Sequence, residues 1–517
     1  MWEERGSTKC GTLRISPFDS NIIYNSLLSC SIKYSGKTQG PGRLKTAFVD
    51  ASRHRSFRER FIGDKNFYKM VFGIAVPIMI QNGISNFVGL LDNVMVGTVG
   101  TEQMTGVSIA NQLIFIYNLC IFGGLSGVGI FTAQFFGSRD EEGIRDSFRM
   151  KAWTGIALTI LASAVLLLFS DPLISLYLHE EGTAGNAAET LRCGKAYMEI
   201  IVLSFLPFMA LQVYASTLRE CGETLLPMKA SLIAVATNLF LNWVLIYGHF
   251  GLPALGVIGA AEATLISRII EVLIVVIYAH THSRKHPWVK QLYRTMKVRK
   301  TYLKDYIVKG FPILANEALW STGISFLAQC YSMRGLAVVA ALNIANTLNN
   351  SLNVVFQSFG SSVGIIVGQL LGAGRLQEAK DTDNKMLFTD IMMSLVTIIV
   401  LVLISGIFPK VYNTTDEVRS IATQFLLAYA VFTPQMAFNN ACYFTLRCGG
   451  KTMLTFIYDC MAVWVLSIPI AFFLSRFTSV PAVWIYVCVS MADWVKVAFG
   501  AVMVRKNIWI NTIVKET

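Results

Sequence analysis

Three polar side chains lie in otherwise apolar stretches, where an unpaired polar group is costly. Asp92 closes the first stretch, and Asn238 and Asn242 lie in the fifth. The asparagines are four residues apart, so a helix places them on one face. Their oxygens can bind a cation, and their amide groups can donate to a carboxylate. Because a charge in hydrocarbon costs at least ~2.5–3.5 kcal/mol, Asp92 is a functional candidate. The structural alternatives are a helix cap for Asp92 and interhelical packing for the asparagines.

A second group of polar residues points to a binding cavity. Glu317 lies about two turns into the seventh apolar stretch, and Trp320 follows one turn later. A buried carboxylate beside an aromatic ring suits a proton site or an organic cation, although a structural role is also open. The eighth stretch carries asparagines that share one face. We expect the cavity wall to include Asn82, Glu317, Trp320, Asn346, Asn350 and Asn353.

Other residues in the apolar stretches have more local explanations. Arg268 with Glu271, and Asp493 with Lys496, are three residues apart and are expected to neutralise each other. Asp459 has no such partner on its own helix, so we expect either a bond to another helix or a role in transport. Pro77 and Pro312 interrupt helical hydrogen bonding and are candidate hinges.

The composition identifies the class of protein. The 517 residues are 54% hydrophobic and only 15% charged, whereas soluble domains carry about 25% charged residues. The chain is therefore an all-α integral membrane protein and not a soluble, disordered or coiled-coil one. The net charge of +12 does not indicate nucleic acid, because the first 69 residues hold 13 Lys and Arg against 6 Asp and Glu. That excess fits a basic flank beside a membrane.

Twelve apolar stretches are long enough to cross a bilayer, and we number these spans in chain order. They are 68–95, 104–131, 148–170, 194–217, 229–248, 256–280, 306–331, 337–366, 386–408, 420–443, 452–474 and 480–504. Of the 44 Lys and Arg residues, two lie within spans and only six on the side opposite the termini, which leaves 36 on the side of the termini. We therefore expect both termini to be cytoplasmic.

The two halves of the sequence repeat each other. Pro77 and Pro312 occupy matching positions 235 residues apart, and Leu218-Arg219 matches Leu446-Arg447. Because each half has six spans, both halves run the same way through the membrane, which is typical of transporters with parallel repeats. We divide the chain into a basic segment 1–66 (disordered, or translated upstream of the natural start), a six-helix bundle 67–280, a basic cytoplasmic linker 281–305, a second bundle 306–505 and a tail 506–517.

No enzyme motif occurs in the sequence. A Walker A motif, an HExxH motif and a Gly-rich phosphate cradle are all absent. We expect a transporter without a cofactor, and not an enzyme.

The ordered motifs resemble those of the bacterial multidrug and toxic compound extrusion (MATE) family, over about residues 57–505. They include Leu91-Asp92-Asn93-Val94-Met95-Val96-Gly97, Gln134 with Gly137, Leu218-Arg219 with Gly222, Asn238 with Asn242, and Gly251–Thr264. The resemblance implies a V-shaped pair of six-helix bundles and efflux of organic, often cationic, compounds in exchange for H⁺ or Na⁺. It also implies that Asp92, Asn238 and Asn242 couple the ion, with Na⁺ possible there. Asn242 stands where the family has aspartate.

The expected setting is a monomer in the bacterial inner (plasma) membrane, in contact with membrane lipids, small organic cations and drugs, but not nucleic acid. Two other functions stay open. One is a flippase for lipid-linked oligosaccharides, which tends to need a cationic cavity for pyrophosphate, whereas amides and carboxylates occupy these spans. The other is a receptor or scaffold that transports nothing.

Overall fold

The computed structural model describes residues 57–177 and 187–514, and in that part of the chain every regular element is helical. The prediction for segment 1–66 therefore lies almost entirely outside the described residues. Within them, Phe57–Phe61 forms the short helix that precedes the first span.

All twelve predicted spans are helices, which confirms the all-α membrane fold. In the N-terminal half they are Lys65–Gly97, Thr101–Ser138, Glu141–Leu168, Ala187–Glu220, Leu225–Tyr247 and Val257–Thr281, and in the C-terminal half Lys300–Ser332, Leu336–Gly372, Leu376–Ser405, Asp416–Cys448, Thr452–Phe477 and Ala482–Arg505. Short helical turns lie at Ser170–Ser175, Val202–Ser204, Pro287–Val289 and Phe408–Val411. By length and composition alone, ten described helices could cross a membrane. Spans 6 and 7 are not among the ten, and each carries charged residues inside its helix.

Helix ends follow local sequence signals. Asp64 accepts a hydrogen bond from Phe67 N before span 1, and Asp140 accepts one from Gly143 N before span 3. Thr415 caps span 10 through Val418 N. Such caps satisfy backbone N–H groups that have no partner inside the helix. Span 5 ends at Gly248, whose φ of +76° favours glycine.

The spans are not uniform rods. Pro77 and Pro312, the predicted hinges, lie inside the helices of spans 1 and 7, and Pro434 lies inside span 10. Span 11 contains two π-helical segments, Ile457–Met461 and Val463–Ser467. Proline and π turns release backbone carbonyl groups and permit bending.

Of the two predicted ion pairs, one is confirmed and one is wrong. Arg268 Nη1 lies 2.9 Å from Glu271 Oε2 on span 6. Lys496 instead binds Asp459 on span 11, Nζ to Oδ1 at 2.5 Å, while Asp493 accepts a hydrogen bond from Ser467 at 3.2 Å. The neighbouring helix supplies a closer carboxylate than the lysine's own helix does. Asp459 therefore has a bond to another helix, which is one of the two alternatives that its isolation in the sequence left open.

The linker between the halves packs against the N-terminal half. Trp288, Val289 and Leu292 are buried in its hydrophobic core. Arg149 Nε donates to the Leu292 carbonyl at 3.3 Å, and Trp153 donates to the Met296 carbonyl at 3.0 Å. The basic composition of the linker concealed this apolar anchor.

Spans 2 and 8 cross with almost no space between their backbones. A Cβ atom on Gly137 would overlap the carbonyl group of Gln369, and one on Gly372 would overlap that of Gln134. Gln369 Nε2 also donates to the carbonyl of Glu220 on span 4, at 2.7 Å. This glycine crossing joins the two halves at the end of spans 2 and 8.

The C-terminal segment that follows span 12 covers the glycine crossing. Gln134 receives a hydrogen bond from Ile513 N at 2.7 Å and donates one to the Asn511 carbonyl at 3.3 Å. Thr512 donates to the Leu371 carbonyl on span 8 at 3.3 Å. Trp509 is 1% exposed, on the core of the C-terminal half. One short segment therefore contacts both halves.

We predict that Gly372→Ala destabilises the protein by about 1–3 kcal/mol, the usual cost of overpacking a close contact. The added methyl group would meet backbone and not a movable side chain. The measurement is the melting temperature in detergent. Gly310→Ala on span 7 is the control, because its methyl group would meet no atom within 4 Å. Equal melting temperatures for the two variants would contradict the prediction.

Acidification should weaken the anchoring of the linker through His286. Burial lowers the pKa of His286 from 6.5 to about 4. Between these values the unfolded chain binds a proton that the folded chain does not, so stability falls as the pH drops from 6.5 towards 4. Melting temperatures from pH 7.5 to 4.5 should fall less in His286→Gln than in the wild type. The same change at the exposed His282 should leave the wild-type slope.

Candidate functional site

The candidate ion-coupling residues meet between spans 1 and 5. Asn242 Nδ2 donates to Asp92 Oδ1 at 2.5 Å and to Asn238 Oδ1 at 3.2 Å. Asn238 Nδ2 donates to Thr264 Oγ1 on span 6 at 3.3 Å. Both asparagines are buried, at 3% and 0% exposure, and Asp92 is half-buried. We call Asp92, Asn238 and Asn242 the carboxylate–amide cluster.

One atom of this cluster has no partner. Asn242 Oδ1 is buried without a hydrogen bond. It lies on the same amide that binds Asp92, so a small cation could receive oxygen ligands from both side chains with little movement. The cluster holds one carboxylate, and one monovalent cation would neutralise it.

A chain of hydrogen bonds crosses the N-terminal half. Arg219 Nη1 donates to Gln81 Oε1 at 3.5 Å, and Gln81 Nε2 donates to Ser231 Oγ at 2.9 Å. Ser231 donates to Glu271 Oε1 at 2.5 Å, and Glu271 is the carboxylate paired with Arg268. Spans 4, 1, 5 and 6 are thus connected through polar side chains.

A cavity of about 250 Å³ lies between the two halves. Spans 1, 2 and 4 of the first half and spans 8 and 10 of the second supply its wall. The polar and charged lining residues are Gln81, Asn82, Ser85, Ser126, Gln212, Ser216, Arg219, Glu220, Gln357, Ser361 and Arg447. Spans 2 and 8, which form the glycine crossing, both contribute.

Of the six predicted cavity residues, Asn82 lines this cavity, and its Nδ2 donates to Ser358 Oγ at 3.0 Å. The other five are not in its lining. Glu317 packs against Gly123 and accepts a hydrogen bond from Tyr443 at 3.0 Å.

The remaining predicted cavity residues lie elsewhere on spans 7 and 8. Asn346 accepts a hydrogen bond from Tyr429 of span 10 at 2.7 Å. Trp320 is 38% exposed, Asn350 is exposed and Asn353 is half-buried.

The charged residues of the cavity wall were not among the sequence candidates. Arg219 and Arg447 were visible as one repeated motif, but nothing in the sequence placed them in the wall. Glu220 pairs with Lys151 of span 3, which is fully buried. Two arginines and one carboxylate thus lie in the wall, in contrast to the expected amides and carboxylates.

Two buried carboxylates of the C-terminal half were not predicted from the sequence. Asp383 accepts a hydrogen bond from Thr445 at 2.6 Å, and its second oxygen has no partner. Both oxygens of Asp390 are buried without a partner. The residues are seven apart on span 9, which places them on one helix face and was the available signal.

The fold and the cavity define a polytopic membrane protein with two six-helix halves. The MatE family model matches residues 77–244 and 312–473, together more than half of the chain. The two matches begin at Pro77 and Pro312, as the internal repeat predicts. The chain belongs to the MatE family, which confirms the resemblance seen in the sequence and agrees with a transporter that is not an enzyme.

Several relatives and a solved structure are similar over most of their length. A probable multidrug resistance protein NorM of Thermotoga maritima is 24% identical over 417 residues, which are 79% of this chain and 86% of the relative. A probable multidrug resistance protein YoeA of Bacillus subtilis is 27% identical over 420 residues, 80% and 88% of the two chains. A crystal structure of MATE in the bent conformation superposes with a TM-score of 0.77 at 18% identity, covering 86% of this chain and 95% of the other.

Removing the carboxylate of Glu220 should strongly destabilise the fold. Glu220→Gln would leave the charge of Lys151 buried with only hydroxyl partners, Ser216 and Thr217. Breaking one side of a buried ion pair typically costs about 3–5 kcal/mol. The melting temperature should fall far more than in Glu223→Gln, because Glu223 pairs with the exposed Lys285. Similar melting temperatures for the two variants would show that Lys151 does not need its partner.

Proposed function

We propose that the protein is a secondary active multidrug efflux transporter that exports organic compounds in exchange for H⁺ or Na⁺. The observation that carries the proposal is the carboxylate–amide cluster, in which Asp92 lies beside an amide oxygen that has no partner. A charged side chain within a membrane span is energetically costly, which makes it a functional candidate by default. The proposal that the exported compounds include several drugs is based on the names of the NorM and YoeA relatives.

The two halves and the glycine crossing support alternating access as the proposed mechanism. If both termini face the cytoplasm, as the Lys and Arg distribution predicts, the crossing closes the cavity on the cytoplasmic side. Separation of spans 2 and 8 would open that side. Pro77 and Pro312 lie in the first span of each half, where bending would change the shape of the cavity wall.

Span 1 connects the proposed ion site to the cavity wall. Span 1 carries Asp92 in the cluster and Gln81, Asn82 and Ser85 in the cavity wall. A cation that binds Asp92 competes with the hydrogen bond from Asn242 and so changes how span 1 packs on span 5. The same movement shifts Gln81, which binds Arg219 and Ser231. Binding at one site therefore alters the wall of the other, as coupling requires.

The proposed setting is a bacterial inner membrane, in which the chain works as a monomer. A single positive charge that moves inward gains about 2.3 kcal/mol per 100 mV of membrane potential, which can drive export of a substrate. Spans of one chain supply the whole lining of the cavity, so the proposed substrate site needs no second copy of the chain.

The test is efflux of ethidium from proteoliposomes under either a Na⁺ or a pH gradient. We expect flux with one gradient, which names the ion. Asp92→Asn should reduce coupled flux at least tenfold while the melting temperature stays near that of the wild type, because asparagine keeps the shape but loses the charge. Asp171→Asn is the control, since this carboxylate is exposed and pairs with Lys195. Normal coupled flux in Asp92→Asn would contradict the proposed role of the cluster.

A further inference from the structure

Arg447 is a buried charge in the cavity wall. It is 7% exposed, and its Nη1 atom has no hydrogen-bond partner. Its guanidinium lies over the rings of Phe444, Tyr443 and Phe122, at 5.5, 5.9 and 5.9 Å from their centroids. Aromatic faces stabilise the cation partly but offer no acceptor for its N–H groups. Among the described residues, no carboxylate lies within ion-pair distance of this guanidinium, although burial normally calls for one.

Arg219 occupies the equivalent position in the other half and lines the same cavity. Its hydrogen bond goes to the neutral amide of Gln81, at a long 3.5 Å. Among the ion pairs of the described residues, neither Arg219 nor Arg447 has a carboxylate partner, while Arg149, Arg192, Arg268 and Arg299 each have one. The two arginines therefore differ from these four.

The rest of the wall does not neutralise them. In the part of the chain that the structure describes, Glu220 is the one carboxylate in the lining, and it is already bound to Lys151. Glu317 lies outside the lining, where it accepts a hydrogen bond from Tyr443 and attracts Arg447 electrostatically without forming an ion pair with it. The cavity therefore presents two positive charges and an apolar surface that includes Phe122, Phe444 and Ile365.

We propose that Arg219 and Arg447 form an anion subsite in this cavity, which takes a carboxylate, sulfonate or phosphate group of an amphipathic substrate. Guanidinium groups bind such anions through paired, charge-assisted hydrogen bonds. The apolar part of the substrate packs on the aromatic rings beside Arg447. The inference rests on the proposed transport function and narrows it, because compounds with an anionic group should bind more tightly than simple cations, which can still be transported.

The experiment measures binding of two matched dyes to the purified protein in detergent at pH 8. Rhodamine 19 carries a free carboxylate, and rhodamine 6G is its ethyl ester, so the pair differs only in the anionic group. We expect rhodamine 19 to bind at least tenfold more tightly than rhodamine 6G. Equal binding of the two dyes, or tighter binding of the ester, would overturn the proposal without any variant being made.

Substitutions of the two arginines test whether these residues cause the preference for rhodamine 19. Arg447→Gln and Arg219→Gln should each reduce the ratio of the two affinities severalfold, and the double variant should bring it close to one. Arg447→Lys should keep part of the preference, because it keeps the charge but loses the fork of N–H donors. Gel filtration and melting temperature show which variants are folded. A preference for rhodamine 19 that persists in the folded double variant would contradict the assignment.

Competition identifies the source of the anion. Displacement of rhodamine 19 by dihexanoylphosphatidylglycerol, but not by dihexanoylglycerol, which has no phosphate, would place the anion on a lipid headgroup. Displacement by inorganic phosphate alone would place it on a soluble compound, and both results support the subsite. Failure of every anion to compete would overturn it. Binding in detergent needs no gradient, so these results are distinct from failure of the transport function, which would appear as no gradient-driven flux in the wild type.

Discussion

The close crossing of spans 2 and 8 is the contact on which the rest of the structure depends. Two helices can approach with backbones touching only where both lack a side chain, and Gly137 and Gly372 supply that on each helix. The crossing joins the halves at one end and thereby gives the cavity a floor. Polar side chains at this floor are hydrogen-bonded. Gln134 bonds to the C-terminal segment, and Gln369 bonds to span 4. A contact this tight has few intermediate positions, so separation of the halves would be a discrete event and not a gradual one.

Polar groups in the spans are organised into connected sets because isolated ones are too costly in a bilayer. The carboxylate–amide cluster, the chain from Arg219 to Glu271 and the contact between Lys496 and Asp459 each join different helices. These bonds contribute to holding the bundle together where hydrophobic burial discriminates poorly between helix partners. They also leave a few atoms without partners, and these atoms mark where a ligand can interact. Asn242 Oδ1 and Arg447 Nη1 are two such atoms, one an acceptor and one a donor.

The internal repeat explains why the cavity is positively charged. A motif with arginine near the end of the fourth span of each half brings two equal charges to the same central space, since both halves run in the same direction. The carboxylate next to Arg219 has no equivalent beside Arg447, where Cys448 follows instead. Two arginines with one adjacent carboxylate thus leave a net positive wall. The cluster of Asp92 belongs to the first half alone, so under the proposed function the ion site lies in one half while both halves supply the substrate cavity.

The sequence by itself determined the twelve helices, the division into two halves and the family, because length, hydropathy and ordered motifs are local properties. It also predicted that Asn238 and Asn242 share a face, since a four-residue spacing decides that. Tertiary structure alone decided which side chains meet across helices. The bond between Asp92 and Asn242 spans 150 residues of sequence, and Lys496 prefers Asp459 to its neighbour Asp493. When a helix is apolar on nearly every face, its sequence gives little indication of which face points to the cavity. The rotation of each helix about its axis placed Arg219 and Arg447 in the cavity wall and left Glu317 outside it.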